Sequence, residues 1–250
     1  MRRLFPVTDP APSATGTDHV WSLAELAALY AYPEPLPDGG VLRANMVTTL
    51  DGAASLDGRS QGISGPADMR VFGVLRALAD VVVVGAGTVR AEGYRPAKAR
   101  EAFAAAREAA GQAPAAAIAV VSATLDLDFT TPLFTAPVVP TLVLTGADAP
   151  AERVAAAKEA GAEVVVTGPG PGADPGRVRA VLAARGLRRQ LAEGGPHLLG
   201  TLIAADAVDE LCLTVSPFLA AGEASRIAHA APAPAPPARL RPASILTEDG

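Results

Sequence analysis

Short apolar runs and longer amphipathic segments alternate along this chain from residue 41 onward. Residues 81–84 are consecutive valines, and such an uninterrupted β-branched run is typical of a strand covered on both faces. The other short runs predict strands at residues 41–49, 117–121, 141–145, 163–167, 188–192 and 209–215. The segments between them predict helices at residues 66–79, 101–111, 151–160, 175–185 and 196–205. Because strands alternate with helices, we predict an α/β fold with a mostly parallel central sheet and helices on both faces.

The two ends of the chain depart from this alternation. Residues 1–40 are predicted to form an N-terminal extension, because prolines interrupt them and only residues 22–30 have a helical pattern, with Ser22 as N-cap. Residues 41–250 are then a single domain. Near the other end, a proline-rich stretch at residues 232–242 precedes a last strand around Ile245.

Composition argues against several classes of protein. The 250 residues carry a formal net charge of −5 and only 4% aromatic residues, which disfavours nucleic acid or an anionic membrane as partner. The most apolar run, residues 115–121, is far shorter than a membrane span, and the N-terminus lacks a signal-peptide pattern. Cys212 is the only cysteine, so no disulfide can form within the chain. We therefore expect a soluble, cytoplasmic protein.

A glycine-containing turn follows the valine strand. Gly85, Gly87 and Thr88 stand at the carboxyl end of that strand, where ligands bind in open α/β sheets. The amides of the two glycines can approach a phosphate closely, and Thr88 adds a hydroxyl. Arg90 stands where the dinucleotide fingerprint has its third glycine, so a plain tight turn explains the motif about as well.

A second motif joins the strand at residues 188–192 to the next helix. Gly194 and Gly195 are followed by Pro196, which opens the helix, and free N–H groups at a helix start attract anions. Glu193 would lie at the mouth of such a site. The same Gly-Gly-Pro run also suits an ordinary strand-to-helix connection.

A third motif ends the first strand of the domain. Thr48 and Thr49 are followed by Asp51 and Gly52. An aspartate at a strand end beside a cleft is a candidate proton donor or substrate anchor. Asp-Gly is also a common turn pair, and on this motif alone the turn is the simpler interpretation.

Several chemistries lack their signature in the sequence. No His, Cys, Asp or Glu residues show metal-ligand spacing, and the His-x-Glu and Pro-Cys-x-x-Cys pair of zinc deaminases is absent. The Gly-x-Ser-x-Gly elbow and the Walker lysine are absent as well. We therefore predict no metal.

The three motifs occur in an order that resembles the reductase domain of the riboflavin-biosynthesis deaminase-reductases. They are residues 48–52, residues 75–77 with 80–88, and residues 193–196 with Gly200. The resemblance implies a dihydrofolate-reductase-like fold, NADPH as cofactor and a homodimer. It also implies reduction of a phosphorylated pyrimidine, 5-amino-6-(5-phosphoribosylamino)uracil, to its ribitylamino product, with hydride delivered to C1′ of the ribose.

The motifs and the resemblance together assign roles to individual residues. Two carboxylates are the predicted catalytic residues: Asp51 and Glu193. The predicted cofactor contacts are Thr48, Gly62, Gly85, Gly87, Thr88, Glu92, Ser122, Gly195, Pro196, His197, Leu198, Leu199, Gly200 and Thr201. The predicted substrate contacts are Ser60, Arg76, Arg95 and Glu193, with Arg76 on the substrate phosphate.

Some positions depart from the family pattern. Gly62 stands where a tryptophan is common, Glu92 stands in place of an aspartate, and residues 93–96 replace a Leu-Thr-x-Arg segment. These departures leave the natural substrate open. Two alternatives therefore stand: a reductase of the same fold that acts on a pterin or another heterocycle, and a nucleotide-binding module without catalysis.

Overall fold

The computed structural model describes residues 1–5, 21–229, 233 and 236–248. The strands are β1 (Arg2–Phe5), β2 (Val41–Thr49), β3 (Val81–Gly85), β4 (Ala117–Val121), β5 (Leu142–Gly146), β6 (Glu163–Gly168), β7 (Arg189–Ala192), β8 (Glu210–Ser216) and β9 (Ile245–Thr247). The helices are α1 (Leu23–Leu29), α2 (Pro66–Leu78), α3 (Ala86–Glu92), α4 (Glu101–Ala109), α5 (Pro132–Thr135), α6 (Ala151–Glu159), α7 (Pro175–Ala183) and α8 (Pro196–Ala204). Most predicted elements are present with ends shifted by one or two residues, whereas β1, α3 and α5 were not predicted.

Strands β2 to β8 form one sheet in the order β6-β5-β4-β3-β7-β2-β8. Every neighbouring pair in this sheet is parallel, so the strands share one carboxyl edge. Helices pack on both faces, which confirms the predicted α/β architecture. Strand β7 lies between β3 and β2, and the three sequence motifs therefore follow three adjacent strands.

The valine run of β3 lies at the centre of the core, fully buried. Val82 and Val84 belong to the cluster that includes Leu75 of α2 and Val89 of α3. The alternate valines, 81 and 83, face the opposite cluster with α7 and α8. This alternation is the reason why a continuous apolar run suits a strand with helices on both sides.

The described N-terminal residues pack against the domain. Ser22 caps α1 in a capping box with Glu25, as the sequence predicts for Ser22. Leu26 of α1 is buried with Val74 of α2 and Phe103 of α4. Strand β1 pairs antiparallel with β9, the predicted last strand, in a separate two-stranded sheet. Residues 6–20 of the predicted extension lie outside the described residues.

Candidate active site

The turns after β3 and β7 lie against each other at the carboxyl edge of the sheet. The amide of Gly85 donates to the carbonyl oxygen of Gly194 over 2.7 Å. A Cβ atom built on Gly195 would lie 2.7 Å from Oγ1 of Thr88. Any side chain at position 195 would therefore displace this hydroxyl. The peptide between Gly194 and Gly195 is cis. Two motifs that are more than a hundred residues apart in the sequence thus form one structure.

Gly195 and Thr88, with the start of α8, form what we call the glycine cradle. Gly195 is the N-cap of α8 and Pro196 its first residue. The next amides, of His197 and Leu198, belong to the first turn, where N–H groups have no partner inside the helix and carry partial positive charge. A Cβ on Gly195 would fill the cradle. These features fit the pyrophosphate of a dinucleotide.

The structure corrects the role of Gly85. Its N–H group is already engaged by Gly194, so it is not free to bind a phosphate as predicted. Gly85 supports the Gly194 turn instead. Gly87 lies exposed in the first turn of α3, and its predicted cofactor contact stays a prediction.

The cofactor contacts predicted in α8 are of two kinds, in the first helical turn and beyond it. Leu198 and Leu199 pack their side chains into the core cluster under α8, which leaves only main-chain atoms for a cofactor. Gly200 and Thr201 lie beyond the first turn, where amides are engaged inside the helix. The Thr201 hydroxyl donates to the carbonyl of Leu198 over 2.9 Å. Direct contacts by these two residues therefore do not follow from the geometry.

Two further predicted cofactor residues lie at the ends of neighbouring strands. Ser122 follows β4, and its Oγ accepts a hydrogen bond from the amide of Leu125 over 3.0 Å. Thr48 lies near the end of β2, and its hydroxyl donates to the carbonyl of Ala53 over 3.3 Å. Both side chains are buried and hold turns at the carboxyl edge.

Arg76, Tyr94 and Glu193 form a closed hydrogen-bonded group. Nε and NH2 of Arg76 donate to Oε1 and Oε2 of Glu193 over 2.7 and 2.6 Å. The Tyr94 hydroxyl donates to the same Oε2 and accepts a hydrogen bond from Arg76 NH2 over 2.6 Å. The guanidinium also lies 4.4 Å from the centre of the Phe72 ring and 5.1 Å from that of Tyr94. Sequence reasoning named Arg76 and Glu193 but not their connection.

Both Arg76 and Tyr94 have raised pKa values in this group. Burial alone would lower the pKa of Arg76, but the charge of Glu193 and its hydrogen bonds raise that pKa above its ordinary value. Burial, and then the Glu193 charge, raise the pKa of the Tyr94 phenol well above its ordinary value. Arg76 therefore stays cationic and Tyr94 stays protonated. Two of the three guanidinium nitrogens are taken by Glu193, which leaves NH1 alone for the predicted phosphate contact.

A cavity of about 520 Å³ adjoins this group. We call it the cationic cavity. The residues that line it include Phe72, Arg76, Tyr94, Arg95, Lys98 and Arg100. Within the described residues, no ion pair or side-chain hydrogen bond holds the last three. Glu193 does not line the cavity and its side chain is only 5% exposed, because it lies behind Arg76 and Tyr94.

Ser60 and Glu92, predicted for substrate and cofactor respectively, contact each other. The amide and the hydroxyl of Ser60 both donate to Oε1 of Glu92, over 2.8 and 3.1 Å. This contact ties the segment after β2 to the end of α3. Glu92 also lines the cationic cavity, whereas Gly62 lies exposed in a short 3₁₀ helix, Gln61–Ile63.

The hydrogen bonds of Asp51 stabilise its ionised form. Its carboxylate accepts hydrogen bonds from the Thr49 hydroxyl and from the amides of Ala221 and Ala220, the latter two over 2.7 and 3.2 Å. The hydrogen bond from Thr49, followed by those amides, lowers the pKa of Asp51 to about 2. Asp51 is therefore ionised at neutral pH, which favours its predicted role as a substrate anchor over that of a proton donor.

The two predicted catalytic carboxylates do not form a close pair. Ala44 pairs with Ala192, so Glu193 aligns with Asn45 of β2. From Asn45 the strand runs on to Thr49, a distance of about 13 Å at roughly 3.3 Å per residue. Asp51 then bonds to residues that follow β8, on the side away from β7. The two carboxylates therefore lie at different places along the carboxyl edge of the sheet.

Sequence reasoning missed four of the six residues named above as lining the cationic cavity: Phe72, Tyr94, Lys98 and Arg100. A signal for two of them was present, because basic residues at positions 95, 98 and 100 are concentrated in a chain of net charge −5. Among the described residues, no group of three His, Cys, Asp or Glu is placed to hold a metal ion. A helix with the length and apolar character of a membrane span is not found in the described part of the chain either.

Comparison with known proteins gives consistent matches. The sequence profile described as the RibD C-terminal domain matches residues 41–248. A 2,5-diamino-6-ribosylamino-4(3H)-pyrimidinone 5′-phosphate reductase from Archaeoglobus fulgidus is 31% identical over 182 residues, which cover 72% of this chain and 82% of that protein.

Solved structures give the same result. A pyrimidine reductase-like protein from Corynebacterium diphtheriae is similar with a TM-score of 0.66 and 26% identity, over 78% of this chain and 82% of that one. A deaminase/reductase from Thermotoga maritima has a TM-score of 0.57 at 16% identity, over 75% of this chain and 47% of that one, and bears on the fold alone. The predicted family, the dihydrofolate-reductase-like fold and the oxidoreductase class are confirmed, and such reductases use a nicotinamide cofactor. The chain belongs to the RibD C-terminal domain family, the pyrimidine reductases of riboflavin biosynthesis.

Proposed function

We propose that this protein uses NADPH to reduce a phosphorylated ribosylaminopyrimidine, 5-amino-6-(5-phosphoribosylamino)uracil, to the ribitylamino product. The observation that carries the proposal is the cationic cavity beside the Arg76–Glu193 pair. The Archaeoglobus relative is named for a 2,5-diamino-4(3H)-pyrimidinone, which has an amino group where the uracil has an oxo group. Position 2 of the ring is therefore the feature that an assay must distinguish.

The charges of the cavity favour a phosphorylated substrate. A phosphate monoester carries close to two negative charges at neutral pH. Arg95, Lys98 and Arg100 line the cavity without an anionic partner among the described residues. A pterin without a phosphate would leave these cations unpaired, and this argues for the pyrimidine phosphate over the pterin alternative.

The glycine cradle is the proposed site of the NADPH pyrophosphate. Gly195 and Thr88 would hold it, and Thr48, Ser122 and Gly87 are proposed to line the rest of the cofactor. When bound, the cofactor supplies a hydride for C1′ of the ribose. Asp51, which is ionised, would accept hydrogen bonds from sugar hydroxyls rather than give a proton.

We further propose that the protein is a cytoplasmic homodimer, with residues 1–40 as an N-terminal extension and residues 41–250 as the reductase domain. β8 is an edge strand, and apolar side chains near it are exposed: Leu50, Leu213, Val215, Phe218 and Leu219. An exposed apolar sheet edge favours pairing with another chain. Size-exclusion chromatography with light scattering tests the dimer, and a monomer at micromolar concentration would contradict it.

The decisive assay follows NADPH absorbance with four compounds in parallel. They are the uracil phosphate, the 2-amino pyrimidinone phosphate, the dephosphorylated uracil riboside and a dihydropterin. We expect turnover with a phosphorylated pyrimidine, weak turnover without the phosphate, and a preference for NADPH over NADH. Turnover with the dihydropterin alone would favour the first alternative, and NADPH binding without turnover would favour a binding module.

A further inference from the structure

Tyr94 lies in the segment at residues 93–96 where this chain departs from the family pattern. We propose that Tyr94 is a positioning residue which, together with Glu193, holds Arg76 so that its NH1 nitrogen faces the ligand in the cationic cavity. This inference rests on the proposed function, since it takes the anionic part of the substrate to occupy that cavity.

The first step concerns the nitrogens of Arg76. Nε and NH2 are bonded to Glu193, and NH1 has no hydrogen-bond partner among the described residues. Although NH1 of Arg76 has no partner among those residues, it is not fully buried. Arg76 lines the cavity and its side chain is 24% exposed. NH1 is therefore the nitrogen that a ligand oxygen can reach.

The second step concerns Tyr94. Its hydroxyl accepts from NH2 of Arg76 and donates to Oε2 of Glu193, so it bridges the two members of the ion pair. Its ring, with that of Phe72, packs against the guanidinium. A raised pKa keeps the phenol protonated, and the bridge is thus maintained at neutral pH. The hydroxyl and the ring together restrict rotation of the guanidinium.

The third step concerns Glu193. Its carboxylate lies behind Arg76 and Tyr94, and in the described structure its side-chain hydrogen bonds are those with these two residues. A buried carboxylate needs its full set of donors to remain stable. Glu193 therefore acts through Arg76 rather than on the substrate, which revises its predicted catalytic role. Loss of the Tyr94 hydroxyl would leave the ion pair without its bridge.

The test compares Tyr94→Phe with Tyr32→Phe in the full chain. Tyr32 is a matched control, because its buried hydroxyl donates to the carbonyl of Gln190 over 3.0 Å and its ring lies 4.4 Å from the Arg43 guanidinium. Tyr32 does not line the cationic cavity. The measurements are KM and kcat for the pyrimidine phosphate, calorimetric binding of ribose 5-phosphate, and NADPH affinity. We expect Tyr94→Phe to raise KM and the ribose 5-phosphate Kd about tenfold, with kcat and NADPH affinity changed less than about twofold. Tyr32→Phe should leave all four values nearly unchanged.

A double-mutant cycle with Arg76→Lys separates positioning from a general loss of structure. If Tyr94 acts through Arg76, the two substitutions together raise the Kd of ribose 5-phosphate little more than Arg76→Lys alone. Four results would each overturn the inference. They are additive effects of the two substitutions on the Kd of ribose 5-phosphate, an unchanged Kd in Tyr94→Phe, an equal rise of the Kd in Tyr32→Phe, and no binding of ribose 5-phosphate by the wild type. A wild type that binds ribose 5-phosphate but oxidises no NADPH would contradict the proposed function alone, and the comparison of Kd values would still decide the role of Tyr94.

Discussion

Gly195 lies directly against the hydroxyl of Thr88, and a single added carbon atom at Gly195 would come within 2.7 Å of that oxygen. The contact joins the turn after β7 to the start of α3. It depends on the adjacency of β3 and β7 in the sheet, since these strands are far apart in the sequence. The cradle that we assign to the cofactor is a product of this contact.

Gly195→Ala is expected to weaken NADPH binding at least about tenfold, because the methyl group displaces Thr88 and fills the cradle. Fluorescence titration with NADPH measures the effect. Gly39→Ala is the control, since a Cβ there meets nothing within 4 Å and its backbone is not in the left-handed region. An NADPH affinity that is unchanged in Gly195→Ala would remove the cradle from the cofactor site.

Glu193→Gln is expected to destabilise the fold by about 2–4 kcal/mol, because it leaves the partly buried Arg76 cation without its countercharge. Urea unfolding at neutral pH gives the free energy. The exposed pair of Arg185 with Glu163 provides the control, and Glu163→Gln should change stability by less than about 1 kcal/mol. Equal effects of the two substitutions would mean that the burial of Glu193 contributes nothing.

The lowered pKa of Asp51 predicts a pH dependence of stability. Its pKa is about 2 in the folded protein and 3.8 for an ordinary aspartate, so its stabilising contribution is present above about pH 4 and is lost as pH falls toward 2. Asp51→Asn should therefore be less stable than wild type at pH 7, and the difference should shrink between pH 4 and pH 2. Unfolding by urea across this range measures it. Asp148→Asn, at an exposed aspartate without a side-chain hydrogen bond among the described residues, should have little effect at either pH. A constant difference between Asp51→Asn and wild type would contradict the assignment.

Replacement of Lys98 and Arg100 by alanine is expected to raise KM for the pyrimidine phosphate about tenfold or more, because two cations of the cavity are lost. KM for the dephosphorylated riboside should stay the same. The control replaces Lys158 and Arg177, which are exposed on α6 and α7, and should leave both KM values unchanged. Equal losses for both substrates would show that these cations do not recognise the phosphate.

Much of the architecture follows from local patterns. The four valines of β3 predict a strand covered on both faces, because no polar side alternates with them, and the helices between the strands follow from amphipathic spacing and from prolines in their first turns. Ser22 predicts the start of α1 as its N-cap, and the structure confirms it. Such signals act over a few residues and can be interpreted without knowledge of the fold.

The site depends on contacts between residues far apart in the chain. The family motifs indicated Arg76 and Glu193 as site residues, but no local pattern predicts that the two form an ion pair. Arg76 of α2 and Glu193 after β7 come into contact only through the tertiary structure. The same holds for Gly85, whose amide is taken by Gly194, and for Asp51, whose pKa is lowered by Thr49 and by amides that follow β8.

Local preferences of the chain were therefore enough to predict most of the elements and the fold class, and the order of the three motifs indicated the family. The partners of each charged group were settled by the three-dimensional packing. The physical reason is that hydrogen bonds and charge interactions act over a few ångströms in space, whatever the separation along the chain, and the sheet order decides which side chains come within that range.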